Sequence, residues 1–319
     1  MNKMIIEQLN FEDIDCLFDL FIKSDKRHLI PISYYEWRNN NSNTKNFVIK
    51  NKSNRIIGHY SIQNNKYKYK DKVINIGLGQ QAVIDPNYRN LENILELINY
   101  SIKEMKKDVD LIIGFPNNNF YLVQERFMKW DKVEIFNSLE IKLKDIKNFE
   151  IESNNKIKRL KREEFKKLKK YNVRMNKQKI NIFLDYNYIN WRFLKKPTDY
   201  YPVFYYEENN QIKGYIVLKI FNDGQDTKGH IVNLNTYDKQ IKNFLISSAI
   251  NYFKFLDLDY ISVWPTTDYY EFFNKYNSCK EKTFNTNFYM KNIKLNSDLY
   301  DDFKNIMNWN LEMHVSDAF

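Results

Sequence analysis

Val73-Ile-Asn-Ile-Gly-Leu-Gly-Gln-Gln-Ala-Val-Ile-Asp-Pro86, continued through Asn87 to Trp130, decides how this chain folds. Val73 to Ile84 reads as a strand, and Asp85 and Pro86 end it in a turn. From Leu91 to Lys107 the apolar residues Leu91, Ile94, Leu95, Ile98, Ile102 and Met105 recur three or four apart, the spacing of one helix face. Asp110 to Phe115, almost uninterrupted by polar residues, is a strand covered on both faces. Pro116 and Asn117 close it, and Phe120 to Trp130 reads as a short helix. Strand, crossover helix and strand make a βαβ unit with parallel strands.

Working outward, Met4 to Gln8 is a strand, and Asn10 caps a helix that uses Ile14, Leu17, Phe18 and Phe21. A helix around Tyr34 to Arg38 follows. Phe47 to Lys50 and Ile56 to Gln63 form a hairpin, and Lys132 to Leu143 alternates as a final pair of strands. The polar stretch 145–155 is the linker. The 319 residues are 43% hydrophobic with only 7 Gly and 6 Pro, so the chain is globular and long enough for two domains. Cys16 and Cys279 are too few and too far apart for a zinc site or a disulfide framework. Glu7, Glu12, Asp13 and Asp15 break the basic-then-apolar order of a signal peptide, and no run approaches the ~18 apolar residues of a membrane helix. The expectation is a cytoplasmic protein without a membrane span.

The net charge of +10 has two readings: attraction of a polyanion, or a composition rich in Lys, Asn and Ile throughout. Between Lys156 and Lys170, Leu160, Phe165 and Leu168 are spaced to bury, while Glu163 and Glu164 can pair with Lys167. That is a solvated helix face rather than a nucleic-acid patch.

The second half echoes the first. Tyr34-x-x-Trp37-Arg38 recurs as Tyr188-x-x-Trp191-Arg192 (191 − 37 = 154). Asn54-Arg-Ile-Ile-Gly58 recurs as Asn210-Gln-Ile-Lys-Gly214 (214 − 58 = 156). Asp110-Leu-Ile-Ile-Gly-Phe-Pro116 recurs as Asp259-Tyr-Ile-Ser-Val-Trp-Pro265 (265 − 116 = 149). Three landmarks in one order point to a duplicated fold.

The element order of the first half, with Gly77 to Pro86, Asn87-Tyr88-Arg89, Ile112 to Asn117 and Met128-Lys129-Trp130, resembles the GNAT superfamily of acyl-CoA N-acyltransferases, in particular members found with bacterial surface-polysaccharide genes. The resemblance implies an α/β fold of two tandem GNAT-like domains, each a mixed, mostly antiparallel sheet whose central parallel pair splays. Residues 1–144 form the first domain, 156–295 a degenerate second one, and 296–319 a tail packed on a domain. It further implies that Ala82, Val83 and Ile84 bind the pantetheine arm of acetyl-CoA through their backbone. Arg89, Asn90, Leu91, Asn93 and Ile94 would meet its pyrophosphate at a helix N-terminus, and Asn117 would also touch the coenzyme. An amine acceptor would attack the thioester directly, with no metal.

Against that pattern, Glu92 stands where a glycine of the pyrophosphate turn belongs, Lys129 precedes Trp130 in place of a glycine, and the second half reads Thr236-Tyr-Asp-Lys-Gln240 without one. Any acyl-CoA site is therefore in the first half. His59 is the candidate general base, because its proton equilibrium lies nearest neutrality; a hydrogen-bonded strand histidine is its plain alternative. Tyr121 is the candidate acid in place of the family's helix tyrosine, which falls near Glu125. Gln81, next to the strand's kink, is a candidate substrate-binding residue. The tail from Trp309 onward resembles those of the polysaccharide-linked members, which implies that it packs across a domain and delivers His314 as a second substrate contact and Asp317 as a catalytic carboxylate; a loose terminus is the alternative. The expected activity is N-acetyl transfer to a small-molecule amine, an amino sugar or nucleotide-amino sugar, by a monomer or homodimer without nucleic acid. Two rivals stand beside it: a peptidyltransferase using aminoacyl-tRNA, and a GNAT-like binding protein without catalysis.

Overall fold

The computed structural model describes residues 4–24, 31–39, 43–146, 155–171, 175–222, 224, 226–265, 267–273 and 279–316. They divide into two compact units, the first Met1–Glu134 with Asn287–Asn308, the second Ile135–Thr286 with Trp309–Phe319. Both are α/β.

The first unit runs β1 (Ile5–Gln8), α1 (Ile14–Ser24), α2 (Ile32–Asn39), β2 (Thr44–Lys50), β3 (Ile56–Tyr69), β4 (Lys72–Ile84), α3 (Leu91–Met105), β5 (Leu111–Gly114) and α4 (Tyr121–Arg126), and then enters β6 (Asp131–Lys142). The strand order is β1-β2-β3-β4-β5. All pairs are antiparallel except β4 with β5. α3 forms where its apolar spacing predicts. Asn90 caps it by accepting from the Asn93 N–H at 2.8 Å, and Leu97, Ile98, Ile102 and Met105 are buried against β3 and β5. Burying each of those side chains contributes on the order of 2 kcal/mol before entropy is subtracted. A separate cluster of Leu17, Leu20, Phe21 and Tyr35 packs on Val48 and Ile56.

The second unit adds β7 (Ile157–Arg159), the two-residue β8 (Asn181–Ile182), α5 (Tyr186–Ile189), β9 (Val203–Glu208), β10 (Gln211–Asn222), β11 (Thr227–Asn235), α6 (Lys239–Phe255), β12 (Tyr260–Val263) and α7 (Thr267–Phe273), and then enters β13 (Cys279–Asn292). A final α8 (Ser297–Lys304) lies in the first unit. The order β7-β9-β10-β11-β12, with only β11 and β12 parallel, repeats that of β1 to β5. α6 packs over it through Phe244, Leu245, Ala249, Ile250 and Phe253.

The two halves exchange their closing strands. β6 pairs antiparallel with β12, from Tyr260↔Lys142 to Val263↔Leu139. β13 pairs antiparallel with β5, from Tyr289↔Gly114 to Asn292↔Leu111. The expected boundaries after residue 144 and at residue 295 are therefore corrected: residues 135–144 complete the second unit, and residues 287–295 the first. The alternation over Lys132 to Leu143 gives one strand and not two. The basic run gives β7 and a 3-10 segment, Arg162–Lys170, with Leu160 buried between them and Phe165 and Leu168 buried on the segment. Most of the expected linker, 147–154, lies outside the described residues.

Candidate active site

β4 and β5 run parallel through four registered pairs, Ile76↔Leu111 to Gly79↔Gly114, and then part. β5 stops at Gly114, while β4 continues to Ile84. Among the described residues no strand lies beside Gln80 to Ile84 on that side. The parting is prepared at the opposite edge, where the β3–β4 register slips between His59 and Ser61 and Gln81 takes a left-handed backbone (φ 53°). Such a bulge turns the strand away from its neighbour. The result is a fork in the sheet with one wall of extended backbone.

The wall's end is held by charge. Asp85, 1% exposed, pairs with Arg55 and accepts from the Asn87 N–H at 3.0 Å, which fixes the turn through Pro86. Arg89 is exposed and donates to the Ile84 carbonyl at 3.3 Å. Asn90, Leu91 and Glu92 are exposed at the start of α3, but Asn93 is buried with its amide on the Tyr88 carbonyl at 2.7 Å. Because Asn90 occupies the Asn93 N–H, the helix start offers the amides of Leu91 and Glu92. Ile94 is half-buried in the core.

His59 is not available as a base. It is fully buried, its Nδ1 lies 3.2 Å from the Gln81 carbonyl and its Nε2 3.1 Å from the Asn46 side chain, and burial pushes its pKa down to about 3. The ring holds the bulge: it fastens the one left-handed residue of β4 to β3. Gln81 is thereby positioned, with its side chain half-buried. Arg38, 2% exposed on α2, donates to Gln80, whose amide continues to Gln63 at 3.5 Å and through it to Asn65 at 3.1 Å. One face of β3 and β4 is thus a buried ladder of hydrogen-bonding groups. Beyond β5, Asn117 caps the turn into α4 by accepting from Asn119 and Phe120 N–H at 3.1 and 3.0 Å. Tyr121 is half-buried with its ring 6.3 Å from that of Tyr289.

The second unit has the same fork. β11 and β12 pair from Lys228↔Tyr260 to His230↔Ser262 and part, with a register slip between Val217 and Leu218 opposite. Here the chain's own tail fills it. Glu312 accepts from the Leu234 N–H at 3.0 Å and from Asn233, and His314 Nδ1 donates to the Val232 carbonyl at 3.3 Å. Arg192, the counterpart of Arg38, donates to the carbonyls of His314 and Ser316 at 3.4 and 3.1 Å. At the start of α6, Asp238 takes the Gln240 and Ile241 N–H groups at 2.8 and 2.9 Å, so a carboxylate already sits where an anion would bind. His314 is buried with its pKa lowered to about 3, chiefly by burial, and belongs to this plug; the expectation that it contacts substrate is corrected. Asp317 lies outside the described residues.

The structure therefore brings together His59, Gln81, Ala82 to Ile84 and Arg89 to Ile94 along one strand end and the helix after it. It places Asn117 and Tyr121 across β5, and His314 in the other unit. Sequence reading missed Glu312, whose surroundings give no local signal, and Gly79 and Gly114, whose registry pairs them at the fork. Among the described residues no helix is long and apolar enough to cross a membrane, and no group of three His, Cys, Asp or Glu could hold a metal ion.

No family model matches the chain, and no curated protein does. Solved structures do. A conserved protein of unknown function from Enterococcus faecalis V583, described as a probable N-acyltransferase, is 12% identical over 92% of this chain and 73% of its own, with a TM-score of 0.68. A GCN5-related N-acetyltransferase from Anabaena variabilis is 12% identical over 91% and 73%, with 0.66. The N-myristoyltransferase of Saccharomyces cerevisiae with bound myristoyl-CoA is 11% identical over 92% and 79%, with 0.60. At such identities the likeness is one of fold, and the fold is GNAT-like.

Proposed function

We propose, on the premise of a GNAT-like fold, that the chain is an acyl-CoA-dependent N-acyltransferase with a single coenzyme site, at the fork of the first unit. The observation that carries this reading is the difference between the two forks. One keeps a length of strand, Gln80 to Ile84, that pairs with β3 but, among the described residues, with nothing on its β5 side, followed by a helix start with a neutral cap; the other is filled by Glu312 to Ser316 and capped by Asp238. Ala82 to Ile84 would run beside the pantetheine arm, and Arg89 with the Leu91 and Glu92 amides would meet the pyrophosphate.

In the reaction so read, the acceptor amine attacks the thioester carbonyl, a C–N bond forms and the C–S bond breaks. A backbone N–H near the Gln81 bulge stabilises the oxyanion. The amine's proton passes to water, Tyr121 gives its own to the departing thiolate, and the phenolate recovers a proton from water, so that none is gained or lost overall. In this reading the acceptor is an amino sugar or its nucleotide and the acyl group is acetyl. Glu92 favours a second reading, a binding protein without turnover, since its charge opposes a pyrophosphate.

Calorimetric titration with acetyl-CoA tests the site. Wild type binds one equivalent per chain, Arg89→Ala weakens binding several-fold by removing a cation, and Glu92→Gly tightens it by a similar factor. Unchanged affinity in both variants would sink the first-unit site, and no heat at millimolar ligand would leave the non-catalytic reading.

A further inference from the structure

The last registered pair of β4 and β5 is Gly79 with Gly114, so the fork opens from two residues without side chains. Partners in parallel register point to the same face. Two polar groups crowd that face. Tyr60, the residue at the β3 register slip, lies over Gly79 so closely that a methyl group there would collide with Tyr60 Oη. Gln124 of α4 lies over Gly114, its Nε2 and Oε1 3.4 and 3.9 Å from where a Cβ would stand, and the Trp130 ring closes the other side at 3.3 Å.

Both groups are almost wholly enclosed, Tyr60 1% and Gln124 3% exposed, yet Tyr60 Oη and Gln124 Oε1 have no hydrogen-bond partner among the described residues. Buried hydroxyls and amides nearly always find partners, and unpartnered ones converging on one strand pair, with the equally unpartnered Nε1 of Trp130 on the ring beside Gly114, ask for a ligand. Gln124 does not swing freely. Its N–H bonds the Phe120 carbonyl at 3.2 Å, its own carbonyl accepts from the Trp130 N–H at 3.0 Å, and the turn between them carries its side chain to the fork. Burial raises the Tyr60 pKa, so the phenol stays a donor at neutral pH.

We propose that Tyr60 Oη and Gln124 Oε1 are the side-chain partners of the amide-bearing arm of the ligand in this fork. The pairing of chemistry selects the class. Gln124 Oε1 can only accept, and Tyr60 Oη donates, so the occupant must offer an N–H and a C=O close together. A secondary amide does so. A phosphate offers acceptors only and would face Gln124 Oε1 with like partial charge. This assignment rests on the acyl-CoA reading of the first unit and adds to it two residues outside the backbone contacts.

The test uses Tyr60→Phe and Gln124→Met, each removing polar atoms at nearly constant volume. Thermal unfolding is measured on the free protein, and affinity on acetyl-CoA and on the coenzyme's adenosine bisphosphate fragment. Because neither atom has an internal partner, the free variants unfold at or above the wild-type temperature. Acetyl-CoA affinity falls roughly three- to tenfold in each, the effect of one lost hydrogen bond, while affinity for the fragment is unchanged. Lower stability of both free variants, or unaltered acetyl-CoA affinity with wild-type binding intact, overturns this site alone. Absence of acetyl-CoA binding in wild type removes the site together with the reading beneath it.

Discussion

Three histidines, His59, His230 and His314, sit where an imidazole cannot hold a proton, and burial lowers each to about 3. In the unfolded chain each ring titrates near its ordinary value of about 6.5. Between about pH 6.5 and 3 the unfolded state therefore binds protons that the fold refuses, and stability falls as pH falls through that window. With about 1.4 kcal/mol per proton per pH unit, cooperative unfolding should lose about 4 kcal/mol per unit near pH 5. Proton uptake on urea unfolding at pH 5, followed in weak buffer, should approach three per chain; uptake near zero would mean the rings are charged in the fold. His59 also marks the limit of reading residues from sequence. Alternation in a strand promises one wet face, but β3 is buried on both faces from Ile56 to Gln63, so a histidine expected to look into a cleft is enclosed by Phe21 and Tyr35 instead.

At the level of elements, the chain uses one device twice. The Asp110 N–H donates to the Asn75 carbonyl and its carboxylate accepts from the Asn75 N–H at 2.9 Å; Asp259 treats Thr227 in the same way at 2.8 Å. Each aspartate thus pins the first residue of a parallel pair before the pairing begins, and it explains why the repeat was visible at Asp110 and Asp259 in the sequence. Asp110→Ala should cost about 1–2 kcal/mol in the first unit, and Asp110→Asn, which can still accept, much less. Chemical denaturation of the two variants decides this, and equal losses would show that the carboxylate is not acting through that bond. The βαβ unit was legible because its periods are local. β3 and β4 run on to Tyr69 and from Lys72 as a long hairpin through Lys66 to Asp71, which the sequence disguises with lysines around the buried Tyr67 and Tyr69. Strand exchange left no trace in any local pattern, because alternation specifies which face of a strand is buried and not which strand lies beside it.

Across the molecule, two units of one strand order have come to different ends: in one the parted strands have nothing between them among the described residues, in the other a carboxylate, an imidazole and an arginine close the gap from within. The exchanged strands carry a consequence for how the protein is made. Gly114 meets its neighbour Tyr289 only after another 289 − 114 = 175 residues have been added. At roughly 5–20 residues per second, a ribosome leaves the β5 edge bare for about 10–35 s. Nascent chains arrested after residue 144 should then be cut readily by protease in their first half, whereas chains extended past residue 308 resist; equal resistance would mean that the first half matures unaided. Birth order, as much as the finished sheet, ties the two halves into one gene product.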